Sequence, residues 1–293
     1  MVRPLGAHEF DSVVASRVDF DPQGLVIAER DGQIVGFAHA GFGPAEPHGP
    51  THRLDRMLGT VAMLVVDPAV EAADVPAQLL RSAEGYLAER GARVIYAGGR
   101  FPLDPFYRAI YGGSEWSGIL DGHPGFCRAV EAAGYDVAAR AIALELDLAS
   151  PEVRDPKAAI HRRQVRVDRV EDADVTGWWN LLGLGMATTD RFRLIGKRDE
   201  AEIARATLWD MAPFGRSDGR ARVGLCGVEV APVHRRQGYG RHLITEILRQ
   251  VRGQWGEVVQ VACDETNIPA LALYAAVGFE PVGLATLYRK PGP

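Results

Sequence analysis

Cysteine is scarce in this chain, with three in 293 residues, Cys127, Cys226 and Cys263. They are too few and too scattered for a disulfide framework or a zinc site, and no metal is expected. Positive charge is not in excess either. The formal net charge is −5, which argues against nucleic acid, because phosphate binding needs a basic face. No apolar run approaches the ~20 residues that span a bilayer. The opening MVRPLGAHEF lacks a charged segment followed by an apolar one, so no signal peptide is read there. These absences predict a soluble, cytoplasmic protein without a membrane partner. Apolar residues are plentiful: 47% hydrophobic against 24% charged suffices for a substantial core. The length suits one large domain or two ordinary ones.

Apolar patterning along the first half predicts a hairpin over 25–29 and 34–42 across an Asp-Gly turn. It then predicts a strand at 60–66, a helix at 77–90 closed by Gly91, and a strand at 93–97. Residues 99–122 are rich in aromatics and glycine and read as irregular. A short helix at 126–133 and a strand at 139–148 follow. Residues 150–163 (SPEVRDPKAAIHRR) are polar, hold two prolines and lack apolar periodicity, as a linker would. The order then restarts: strand 165–170, helix 173–184, hairpin 192–211, strand 223–230, helix 239–252, strand 258–263, helix 269–276 and strand 286–289. Such alternation implies an α/β fold with a mixed sheet covered by helices.

The restart is a repeat. Val66-Asp67-Pro68 matches Val230-Ala231-Pro232 at an offset of 164, and the same offset lays helix on helix and strand on strand without a gap. Farther on, Ala133-Gly134-Tyr135 matches Val277-Gly278-Phe279 at 144, so the first copy carries an insertion within 99–122. Two domains of one fold are therefore expected, 1–149 and 164–293, joined by 150–163.

In the second copy a buried strand ending Val228-Glu229-Val230 runs into Ala231-Pro232-Val233-His234-Arg235-Arg236-Gln237-Gly238-Tyr239-Gly240-Arg241. Two glycines at a helix start let backbone approach a ligand and aim unpaired N–H groups at an anion. Successive N–H groups there would make a nest for pyrophosphate, with Arg235 and Arg236 adding charge. A plain strand-to-helix turn is the blander reading. A second motif follows: Asn267, suited to a helix cap, then Pro269-Ala270-Leu271-Ala272-Leu273-Tyr274, closed by Gly278-Phe279.

Arg235-x-x-Gly238-x-Gly240, with Asn267, Ala270, Leu273-Tyr274 and Gly278-Phe279 behind it, resembles motifs A and B of the GNAT acetyltransferase superfamily. The resemblance covers 164–293 and implies acetyl-CoA as cosubstrate. Its pyrophosphate would lie on backbone N–H groups over Arg235, Arg236, Gln237, Gly238, Tyr239, Gly240 and Arg241, with Asn267 nearby. Its pantetheine would run along the strand at Val228 and Val230, between two splayed parallel strands. A neutral amine would attack directly, a backbone N–H near Val230 would face the carbonyl oxygen, and Tyr274 would protonate the departing thiolate. Simple packing is the alternative for Tyr274.

The base is not fixed by the resemblance. The family's commonest glutamate positions fall on Gly224 and Ala262, which cannot serve. Glu229, Asp264 and Asp210 are the nearby carboxylates, Glu229 the first choice, with a chain of waters and backbone carbonyls as the alternative. Cys226 and Cys263 read as core. His234 and His242 read as solvated or supporting residues beside the turn, and His161-Arg162-Arg163 with Arg166 as linker surface. Trp178, Trp179 and Trp209 fit either the acceptor side or the core.

In the first copy Arg235, Gly238 and Gly240 become Glu71, Asp74 and Pro76, while Asn267 and Tyr274 become His123 and Val130. Every change at the turn opposes phosphate. The expectation is a tandem GNAT protein with a degenerate first copy and a catalytic second. It would acetylate a primary amine, of a small molecule before a protein or peptide. A non-catalytic acyl-CoA sensor is the rival.

Overall fold

The computed structural model describes residues 6–70, 74–107, 114–115, 117–185, 187–211, 219–254 and 256–292. After a one-turn helix, Ala7–Phe10 (α1), the first copy opens with the expected hairpin, Leu25–Arg30 (β1) and Gln33–Pro44 (β2). Its turn residues Asp31 and Gly32 have φ of 52° and 77°, the left-handed pair that a two-residue hairpin loop demands. Leu54–Val66 (β3), Val75–Glu89 (α2), Val94–Ala97 (β4), Ile119–Leu120 (β5), Pro124–Ala132 (α3) and Asp136–Asp147 (β6) complete it.

The second copy comprises Ala158–Gln164 (α4), Val165–Val170 (β7), Trp178–Leu184 (α5), Thr189–Gly196 (β8), Glu202–Asp210 (β9) and Arg222–Val230 (β10). Tyr239–Val251 (α6), Val258–Asp264 (β11), Ile268–Ala276 (α7) and Glu280–Pro291 (β12) follow. The offsets read from the sequence hold in three dimensions. At 164, α2 starts where α6 does and β4 where β11 does; at 144, α3 coincides with α7 and β6 with β12, end for end.

Two expectations are displaced. The helix foreseen at 173–184 starts only at Trp178, because Ala173 is tied to β8: its N–H donates to the Thr189 carbonyl (2.6 Å) and its carbonyl accepts from the Thr189 hydroxyl (2.5 Å). The segment 150–163 is not featureless, since its end winds into α4 and buries His161.

Among the described residues twelve strands form one mixed sheet flanked by helices, in the order β1-β2-β3-β4-β12-β6-β11-β10-β9-β8-β7, with β5 paired to β12. The copies exchange their last strands. β6 pairs antiparallel with β11 from Asp147↔Val258 to Ala141↔Asp264, and β12 pairs with β4 from Ala97↔Tyr288 to Val94↔Pro291. Leu144, Leu146 and Leu148 of the first copy therefore lie in one buried cluster with Leu243, Ile247, Val259 and Val261 of the second.

Candidate active site

The chemistry-bearing feature is a gap between two parallel strands. β10 and β11 pair at Arg222↔Val258, Val223↔Val259 and Gly224↔Gln260, and then part. β11 turns its other edge to β6, while β10 continues along β9 through a bulge between Cys226 and Glu229, where Gly227 has φ 61°. Beyond Gly224 the edge of β10 facing β11 has no strand partner among the described residues. An extended chain of amides can hydrogen-bond to such an edge as an added strand does.

β10 ends at the glycine-bearing turn. Arg236 and Gly238 both take positive φ, 63° and 96°, and α6 begins at Tyr239. The first bond of the helix runs from His242 N to Gly238 O. That leaves the N–H groups of Tyr239, Gly240 and Arg241 without backbone acceptors among the described residues, at the positive end of a helix thirteen residues long. The side chains largely look elsewhere. Arg235 donates from Nε to the Val230 carbonyl (3.0 Å), Gln237 to that of Val233 (3.1 Å), Tyr239 to the Gln164 side chain (3.2 Å) and Arg241 to the Arg154 carbonyl (3.1 Å). What the turn presents to the outside is therefore its backbone N–H groups, with Arg235 and Arg236 exposed beside them.

The two glycines differ in purpose. Gly238 is needed for its φ, and a Cβ there would stand 3.1 Å from Cε1 of His161. Gly240 is needed for packing, since a Cβ would press on Leu273 at 3.1 Å and Val230 at 3.4 Å.

His161 is the residue that sequence reasoning missed. Only 3% exposed, it bridges from Nε2 to the Gln237 carbonyl (3.2 Å) and from Nδ1 to Asp155 Oδ2 (3.2 Å), which also accepts from His242 Nδ1 (2.9 Å). Burial works to raise the Asp155 carboxyl, but the Lys157 N–H and the two imidazoles outweigh it and hold it below its usual value. The three ligand-type atoms lie within 4.8 Å of one another. This trio fastens 150–163 under the turn. A polar segment around a lone histidine carries no periodic signal that would have revealed it.

At the foot of the gap α7 begins under Asn267, whose side chain accepts from Ala270 N (3.2 Å). Tyr274 is 5% exposed, edge-on to Phe279 with ring centroids 5.5 Å apart. Burial, then the negative charge of Glu115, then Cys263 and Cys226 push its hydroxyl above the ordinary phenol range. Its surroundings thus span both strands of the gap and keep the proton on. Burial likewise raises the Cys263 thiol, which leaves it a poor nucleophile.

The gap opens into a cavity of about 560 Å³, bordered by Cys226 and Gly227 on one side and Ala262, Cys263 and Asp264 on the other. Its remaining walls come from both copies: His48, Arg100, Phe101, Glu115, Ser117 and Ala141 of the first, and of the second the stretch 173–176 with Asn180, Leu184, Thr189, Arg191, Arg205 and Thr207. Trp178 and Trp179 tie the second copy to the first, donating to the Glu46 carbonyl (2.9 Å) and to Asp104 (2.7 Å). Trp209 is buried against Leu184 and Met211.

Among the foreseen carboxylates, Glu229 is exposed, accepts from Arg205 (2.6 Å) and does not border the cavity; neither does Asp210. Asp264 does. The Thr266 hydroxyl (2.6 Å) and N–H (2.9 Å), then Arg100 (3.1 Å), hold its carboxyl below the usual range.

The corresponding place in the first copy is shut. β3 and β4 stay paired one step farther, to Val61↔Ala97, and Gly98 N still donates to the Val61 carbonyl. Ala62 and Met63, counterparts of Cys226 and Gly227, are covered by Phe106 and Tyr107, and the space left nearby is about 10 Å³. A cleft of about 900 Å³ persists between α2 and α3, but Pro76 stands at its helix start and Asp74 precedes α2. Glu71 lies outside the described residues.

Residues 163–279 match the family model of the acetyltransferase (GNAT) family. No curated protein matches the chain. A tandem GNAT protein from the clavulanic acid biosynthesis pathway superposes with a TM-score of 0.64 at 15% identity, over 94% of this chain and 85% of that one. A GCN5-related N-acetyltransferase from Sphaerobacter thermophilus gives 0.57 at 14%, over 96% and 85%. The GCN5-related glucosamine N-acetyltransferase region of a fungal multi-domain GH3 β-N-acetylglucosaminidase gives 0.63 at 17%, over 90% of this chain and 32% of that one. Residues 163–279 thus match a GNAT family model, and over most of its length the chain shares the fold of a tandem GNAT protein. Among the described residues no helix is long and apolar enough to cross a membrane.

Proposed function

We propose that residues 164–293 transfer acetyl from acetyl-CoA to a primary amine, and that residues 1–149 are a degenerate copy that no longer holds the cosubstrate. The observation that carries this reading is the gap beyond Gly224: one of its strands ends at the glycine-bearing turn, it opens into the cavity at Cys226 and Cys263, and both of those residues act electrostatically on the Tyr274 hydroxyl.

The residues present fit acetyl-CoA. The N–H groups of Tyr239, Gly240 and Arg241 would hold the pyrophosphate, with Arg235 and Arg236 adding charge. The free edge of β10 at Val228 and Val230 would receive the pantetheine amides. Bound there, acetyl-CoA supplies an activated acyl group with a thiolate as leaving group. A backbone N–H near Val230 would face the carbonyl oxygen as charge develops on it. Tyr274, kept protonated by its burial, would give its hydroxyl proton to the sulfur.

A small-molecule acceptor is favoured because walls from the first copy partly roof the cavity, which an extended peptide would have to displace. The test is release of free thiol from acetyl-CoA against a panel of small amines and amino-terminal peptides. Thiol release with small amines supports the reading. Release only with peptides moves the assignment to peptide acetylation, and binding without release from any amine moves it to a sensor.

A further inference from the structure

Resting on that reading, we propose that the acceptor is an amine bearing its own carboxylate, with Arg191 holding the carboxylate and Glu115, from the first copy, receiving the ammonium proton.

Three guanidinium groups border the cavity, and two are already neutralised. Arg100 pairs with Asp264 (3.1 Å) and Arg205 with Glu229 (2.6 Å). Arg191 donates from Nη2 only to the backbone carbonyl of Asp174 (3.0 Å) and forms no ion pair among the described residues. Most of its five-donor fork remains available, in the geometry that fits a planar carboxylate. One unspent guanidinium balances one negative charge. A phosphate monoester, closer to two charges, would call on a second cation, and the other two are engaged.

Register fixes where Arg191 stands. Arg191 pairs with Thr207, and Thr207 with Cys226 at the lip of the gap, so the three form a row across neighbouring strands, all bordering the cavity. Two strand spacings separate Arg191 from Cys226, roughly 10 Å between backbones. A guanidinium reaching inward leaves room for a compact molecule with its amine at the gap and its carboxylate at β8.

Glu115 stands at the gap end. It borders the cavity, as Cys263 does, and its charge raises both Tyr274 and Cys263, so it stands within electrostatic reach of α7 and β11. The other two carboxylates bordering the cavity are placed differently. Asp264 is held ionised by Thr266 and Arg100, and Asp174 belongs to the Arg191 end. The proton count closes with Glu115 in this role. The acceptor ammonium yields one proton to Glu115, which passes it to solvent. As the N–C bond forms and the C–S bond breaks, the nitrogen gives up a second proton, replacing the one that Tyr274 delivers to sulfur. One amide, one thiol and one free proton result.

The experiment compares kcat/KM for an ω-amino acid, for the alkylamine lacking its carboxylate and for the corresponding aminoalkyl phosphate, in wild type, Arg191→Met, Arg191→Lys and Glu115→Gln. Calorimetric acetyl-CoA affinity serves as the check on folding. The wild type is expected to favour the amino acid over both analogues. Arg191→Met should cut its kcat/KM by roughly 10- to 100-fold, as loss of a charge-assisted bidentate contact does, with Arg191→Lys in between and acetyl-CoA affinity held. Glu115→Gln should lower kcat by roughly 10²-fold with every amine and leave the preference ratio in place. Turnover with an undiminished preference in Arg191→Met, or a wild-type preference for the bare amine or the phosphate, overturns the carboxylate assignment while sparing the transferase reading. Near-normal kcat in Glu115→Gln overturns its role. Thiol release with no amine at all overturns both readings together.

Discussion

The indole of Trp209 occupies the space that a side chain at Gly224 would need, its Nε1 lying against the point where a Cβ would stand. The resemblance to the GNAT superfamily puts a glutamate base at the position of Gly224, and the indole leaves no room for one, so a base for the proposed reaction would have to come from elsewhere. Gly224→Glu should not raise kcat. It should destabilise the fold by at least the ~1–3 kcal/mol of an overpacked core, read as a fall in thermal midpoint. A variant of wild-type stability with faster turnover would show that Trp209 yields and that the position is open to a base.

Tyr274→Phe keeps the ring edge-on to Phe279 and removes only the hydroxyl. Turnover should fall roughly 10²-fold while acetyl-CoA affinity stays within about twofold. Unchanged kcat with a true substrate would return Tyr274 to a packing role.

Gly238→Asp puts a carboxylate where pyrophosphate is proposed to sit, as Asp74 stands in the first copy. It also forces φ of 96° on a residue with a Cβ that would meet His161. Gly238→Ala imposes the same strain without the charge and separates the two effects. Calorimetry should give one acetyl-CoA per wild-type chain, weaker binding in Gly238→Ala and none measurable in Gly238→Asp. Two equivalents in the wild type would mean that the cleft between α2 and α3 still binds despite Pro76.

The exchanged strands predict that residues 164–293 do not fold alone. That fragment loses β6 from the free edge of β11 and, with it, Leu144, Leu146 and Leu148 from the core. At ~1.5–3 kcal/mol per buried leucine the deficit is about 5–9 kcal/mol, comparable with the whole ~5–15 kcal/mol of a typical domain. A fragment of 136–293, which restores β6, should be more soluble and more cooperative in urea unfolding. Equal stability of the two would show that β6 contributes little.

His39 sets an acid limit. It is buried beneath Phe106 (ring centroids 4.2 Å apart) and bonded through Nδ1 to the Tyr107 hydroxyl (2.8 Å). Burial, then the charge of Arg17, pushes its pKa down to about 3 from 6.5. A folded-state value below the unfolded one means the unfolded chain binds the extra proton. Stability is therefore whole above pH 6.5 and drains away as pH falls towards about 3. At ~1.4 kcal/mol per pH unit the loss is on the order of 5 kcal/mol. Urea midpoints measured from pH 7 to pH 4 should fall, and His39→Gln should remove most of that slope. An equal slope in the variant would place the acid sensitivity elsewhere.

The sequence by itself determined the local elements and the repeat, because both are written in short-range signals. Apolar period, Asp-Gly and Gly punctuation, and the ungapped register of the copies laid the helix at 77–90 on 241–254 and the strand at 94–97 on 258–261 before any coordinates. It also exposed the glycine turn, the Asn267 cap and Tyr274, since these belong to contiguous motifs. What only the tertiary structure decided is where distant segments meet. Nothing local distinguishes a strand that closes its own copy from one that crosses to the other, so the exchange of β6 and β12 was invisible. So was the fastening of His161 under the turn, which depends on Asp155 of its own segment meeting His242 of α6 and on the Gln237 carbonyl of the turn. The same holds for the cavity: Glu115 and Arg191 are unremarkable in sequence, and only the tertiary structure brings a residue of the first copy and one of β8 to the border of the same cavity.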